Sequence, residues 1–108
     1  MINVSVKRKN GRINQFELSG HAASGPHGYD LVCAGVSAVS FGSVNAVMTL
    51  CDADIKIEQG DEGGFLRVTV PNGIPDKSME NVQLLLEGML VSLQTIEQEY
   101  SEFIKIED

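Results

Sequence analysis

The chain has 108 residues, 43% of them hydrophobic, which suffices for one domain spanning 1–108 and is too short for two. A net charge of −7 with an isoelectric point near 4.7 suits a basic partner and argues against a phosphate backbone, so no nucleic-acid partner is expected. No Pro/Ser-rich tract marks a linker, and the opening MINVSVKRKN lacks the apolar run of a signal peptide, which points to a cytoplasmic protein with reduced thiols.

In chain order, Ile2, Val4 and Val6 alternate with polar residues, as do Phe16 and Leu18, so about residues 2–8 and 13–19 read as strands with one buried face. Asn10-Gly11 between them tolerates the positive φ angles of a type I′ turn and predicts an antiparallel hairpin. No charge occurs between Asp30 and Asp52. That length would span a bilayer, but Ser37, Ser40, Ser43 and Asn45 dilute it, and the expectation is a buried helix with no membrane partner. Ile55 and Ile57, a Gly60-to-Gly64 turn, then Leu66, Val68 and Val70 predict a second hairpin. After Pro71, Gly73 and Pro75, Asp76 or Ser78 could cap a long helix. Met79, Val82, Leu86, Met89, Leu93, Ile96 and Tyr100 recur in it at alternating spacings of three and four. Leu85, Leu90 and Val91 widen its apolar stripe beyond a two-helix seam. Phe103 to Ile106 alternates once more. The order is ββαββαβ, an α/β (α+β) fold with a mixed sheet and both helices packed on one face, because each strand shows one clean apolar side.

The stretch Gly20 to Ser40, GHAASGPHGYDLVCAGVSAVS, carries the chemistry. Gly20, Gly25, Pro26 and Gly28 mark a loop that follows a strand and leads into a helix. With Asp30 as N-cap, Cys33 falls at the third helical position, where unpaired N–H groups and the positive end of the dipole favour a thiolate. His21, at the strand end, can meet it and serve as general base. Ser37, one turn beyond Cys33, could bond the thiolate or the substrate, and Asp30 could orient His21 as well as cap. His27 reads as solvent-exposed, and Cys51 as inert. Helix between Cys33 and Cys51 would separate them by about 27 Å, far beyond the roughly 6 Å of a disulfide.

GHA at Gly20 to Ala22 followed by DLVCAGVSA at Asp30 to Ala38, with the later SFGSVNAV and MLVSLQTIEQEY, resembles the ribosomal-processing cysteine protease (Prp) family over nearly the whole chain. The resemblance implies a homodimeric endopeptidase with catalytic His21 and Cys33. It implies as substrate a large-subunit ribosomal protein precursor, from which the N-terminal extension is removed. Such a reaction needs no cofactor and no metal. Residues 22–29, with Gly25, Pro26, His27 and Gly28 at their centre, are expected to form a substrate-gating loop that orders when peptide binds. Two other readings stand beside this one. His21, His27, Asp30 and Cys33 could make a small zinc-binding domain, although they lack the paired CxxC or HxxxH spacing, or the chain could be a non-catalytic ribosomal-protein binding module.

Overall fold

The structure, a computed structural model, describes residues 1–20, 29–60 and 64–108, with the side chains of Tyr29 and Asp30 left out. Two hairpins set the sheet. β1 (Ile2–Lys9) and β2 (Arg12–Ser19) pair antiparallel through a two-residue turn in which Asn10 and Gly11 have φ of 54° and 80°, the positive pair that the type I′ turn requires. β3 (Lys56–Gln59) and β4 (Phe65–Thr69) pair antiparallel as well, and the sheet order is β3-β4-β2-β1-β5. The short β5 (Ile104–Glu107) lies parallel to β1, which makes the sheet mixed.

Registry explains which side chains face inward. Val4 stands opposite Leu18, Val6 opposite Phe16, and on the other edge of β2 Phe16 stands opposite Val68 and Leu18 opposite Leu66, so one face is continuously apolar. Ile13, odd-numbered among even-numbered core positions, is also buried, because the register shifts between Lys7 and Arg8 and Asn14 becomes an extra residue. The opposite face is polar: Arg67 pairs with Glu17 and reaches Glu58 at 3.5 Å.

Both helices cover the apolar face. α2 (Asp76–Glu99) buries Val82, Leu86, Met89, Leu90 and Leu93, and Gln83 clamps it to β2 by accepting from the Ile13 N–H (2.7 Å) and donating to the Ile13 carbonyl (2.9 Å). Its start differs from expectation. Neither Asp76 nor Ser78 caps it: extended Pro75 occupies the cap position without a side-chain bond, its carbonyl accepts from the Met79 N–H, and Asp76 acts through its charge in the first turn. Tyr100 is the C-cap rather than a member of the stripe, and it is exposed.

α1 (Tyr29–Leu50) lies against α2, with Gly35 facing Ile96. It is long and apolar enough to cross a membrane by length and composition, yet only 28% of that apolar window is buried, which corrects the expectation of a buried helix. Val32, Val36, Ser40, Val44 and Val47 face inward, while Leu31, Phe41, Met48 and Leu50 are exposed. Small and polar residues dilute both faces alike, so periodicity could not separate them.

Candidate active site

The end of the sheet where β2 finishes and β4 begins is shaped by Gly20. Its φ is +130°, its N–H donates to the Gly64 carbonyl at 2.9 Å, and a Cβ there would stand 2.3 Å from the Met1 carbonyl oxygen. Only glycine fits so close a backbone crossing. The chain therefore leaves β2 at a fixed point, immediately before His21.

Above this point lies a groove of about 280 Å³ between the sheet end and the first turns of α1. Cys33 and Ser37 line it from the helix, Gly20 from the end of β2, and Gln59 and Phe65 from the second hairpin. Leu18, Val36, Phe41 and Leu66 make much of the remaining wall apolar. Cys33 is half-buried and packs against the core, whereas Ser37 is exposed. The guanidinium of Arg67 sits 5.2 Å from the centre of the Phe65 ring and is itself held by Glu17, which fixes that aromatic wall.

The helix begins two residues earlier than expected. Because Tyr29 is already helical, Asp30 is the second residue of α1 rather than its N-cap, and Cys33 is the fifth rather than the third. The Cys33 N–H thus falls beyond the four unpaired donors of the first turn. Helical side chains lean toward the N-terminus, however, so the Cys33 side chain still extends back over that turn and its donors.

Of the residues singled out by sequence, the structure brings Cys33 and Ser37 together in one groove. His21, Gly25, Pro26, His27 and Gly28 lie outside the described residues, as do residues 22–28 of the expected gating segment 22–29, whose last residue, Tyr29, belongs to α1, and so does the Asp30 side chain. Three members of the alternative zinc set are therefore outside it too; among the described residues no group of three or more His, Cys, Asp or Glu could hold a metal. Cys51 is buried just past the end of α1 and makes no disulfide with Cys33. Sequence reasoning missed Phe41, Gln59 and Phe65. Phe41 was within reach of a signal, since Cys33, Ser37 and Phe41 recur at four-residue helical spacing. Gln59 and Phe65 arrive through the pairing of β4 with β2, which no local pattern specifies.

Comparison with known proteins agrees with this geometry. The family model for cysteine protease Prp matches residues 1–105. The ribosomal processing cysteine protease Prp of Bacillus subtilis is 41% identical over 107 residues, which cover 98% of this chain and 96% of that protein. Among solved structures, Staphylococcus aureus Prp in complex with a substrate peptide superposes with a TM-score of 0.87 at 41% identity, covering 99% of this chain and 98% of the other. The same protein with a covalently linked product peptide gives 0.84 at 42%, with 98% and 97% covered. With nearly its whole length matched and a cysteine lining the groove at the head of α1, the chain belongs to the Prp family and is a cysteine protease.

Proposed function

We propose that the chain removes the N-terminal extension of a large-subunit ribosomal protein precursor, with Cys33 as nucleophile and His21 as general base. The observation that carries this reading is the shared groove: Cys33 lines it, and so does Gly20, the residue directly before His21. His21 takes the thiol proton, and the thiolate attacks the scissile carbonyl carbon while the electron pair moves to the oxygen. N–H groups of the first turn of α1 stabilise that oxyanion. Collapse expels the amine, which receives the proton from His21; water, deprotonated by His21, then releases the acyl group and restores the thiol. The covalently linked product peptide of the Staphylococcus aureus relative is in keeping with such a bond. Asp30, no longer an N-cap, is assigned to orient the imidazole, and Ser37 to bond substrate or thiolate within the groove.

This substrate is supported by the relatives, which are named ribosomal processing proteases, and by charge: a chain at −7 attracts a basic ribosomal segment. The work is done in the cytoplasm, where such precursors are made. The working form is a homodimer, because Leu31 and Met48 leave exposed apolar surface on the outer side of α1 and Leu50 adds to it at the helix end. The surplus apolar surface on α2 comprises Leu84 and Val91. Cleavage of a purified precursor, located by mass spectrometry, tests the reading. Cys33→Ala should fold, bind precursor and leave it intact. Cutting by a pure Cys33→Ala sample would refute the mechanism, and no cutting by the unmodified protein would leave only a binding module.

A further inference from the structure

The basic residues of this acidic chain are not evenly spread. Lys7, Arg8, Lys9 and Arg12, four of its eight Lys and Arg, fall within six residues at the tip of the first hairpin, at the opposite end of the sheet from the Cys33 groove. Arg8 is consumed internally: it pairs with Glu87 (2.7 Å) and Asp108 (2.8 Å), donates to the Gly11 carbonyl at 3.0 Å, and so anchors the turn. Among the described residues Lys9 and Arg12 have no ion pair, and both border a hollow of about 460 Å³. Two Asn-Gly turns, Asn10-Gly11 and Asn72-Gly73, stand on either side of it. In a chain with 15 Asp and Glu, no carboxylate among the described residues lines this hollow. Its floor is preorganised, since Gln83 holds both backbone groups of Ile13 and the Val70 N–H donates to the Asn14 carbonyl at 2.8 Å.

We infer that this hollow is a nucleotide-binding site, with a phosphate on Lys9 and Arg12 and a base against Ile74 and Met79 within reach of the Asn10 and Asn72 amides. Cations alone would suit any anion. Amides that both donate and accept beside an apolar wall match the edge and face of a base, and an acidic peptide is the competing occupant that the test excludes. The whole-chain charge hides this site, because the carboxylates that set it lie elsewhere. The ligand is either a free nucleotide or a nucleotide within exposed single-stranded RNA.

The test measures binding of adenosine monophosphate and of a mixed eight-nucleotide RNA by fluorescence anisotropy or calorimetry at several salt concentrations. With one phosphate neutralised, RNA affinity should fall with a log–log salt slope of about −0.7. The variant Lys9→Gln/Arg12→Gln should lose at least about tenfold in affinity, while Lys77→Gln/Lys105→Gln, which removes equal charge elsewhere, should not. Tight RNA binding with weak monophosphate binding identifies a strand as the source, and the reverse identifies a free nucleotide. Equal loss in both variants, equal competition by a poly-glutamate peptide, or no binding of either probe at low salt would overturn the proposal. Peptide cleavage measured on the same samples keeps the two sites apart, since the Lys9→Gln/Arg12→Gln variant should cut at the unmodified rate.

Discussion

Gly20 shows how a single position can govern a site that it does not perform. Its missing side chain lets the end of β2 cross the Met1 carbonyl, and a Cβ would also approach the Ile2 Cα to 3.0 Å. Both neighbours are backbone and cannot rotate away. Gly20→Ala should therefore cost roughly 3 kcal/mol in urea unfolding and reduce cleavage beyond what the lost stability explains. An alanine variant with unchanged midpoint and rate would contradict the crossing. Ser40 presents the opposite case: it is fully buried and its hydroxyl has no hydrogen-bond partner among the described residues. Alanine removes a desolvated hydroxyl and is the better helix former, so Ser40→Ala should stabilise by about 1 kcal/mol, read as a higher melting temperature. A drop of similar size would mean that the hydroxyl has a partner. Neither role was legible in sequence. Gly20 read as loop punctuation and Ser40 as dilution of an apolar run, because each role depends on a residue distant in the chain or on burial alone.

At the scale of elements, local chemistry carried most of the fold. Asn10-Gly11 named its turn, alternation named the strands within a residue or two, and the period of α2 named its buried face. The order of strands was beyond such patterns, since β2 pairs with β4 and β1 with β5 across more than forty residues. The C-terminal strand is tied to the first hairpin by an ion pair, Arg8 to Asp108, with Glu87 of α2 as third member. The hydrogen bond from Arg8, opposed in part by desolvation, lowers the Asp108 carboxyl below its usual range. A carboxylate depressed in the folded state contributes stability above its unfolded pKa and loses it as pH falls through the folded value, so the contribution should fade below about pH 4. Asp108→Asn should destabilise by no more than about 1 kcal/mol at pH 7, because the pair is partly solvated, and should match the unmodified protein at pH 2. A difference that persists unchanged at pH 2 would assign the effect to packing.

For the molecule as a whole, α1 is the element whose surroundings are incomplete. Its inner face meets the sheet and α2, while its outer face leaves Leu31 and Met48 exposed. If a second copy covers that face, Met48→Glu should shift sedimentation at micromolar concentration from dimer to monomer, because each copy would bury an unpaired carboxylate. A monomer in the unmodified protein would remove the premise.

The crossing at Gly20 also bears on how the protein is handled. Met1 lies under the exit of β2 and Ile2 lines the Cys33 groove, whereas Asp108 is held beside Arg8 near the tip of the first hairpin. An affinity tag fused ahead of Met1 would begin at the mouth of the cleft, at high local concentration and tethered to the enzyme that could cut it. The same tag after Asp108 would hang from the far pole. Amino-terminal fusions are therefore exposed to self-trimming and to competition with added substrate, and the carboxyl terminus is the end to use for purification or immobilisation.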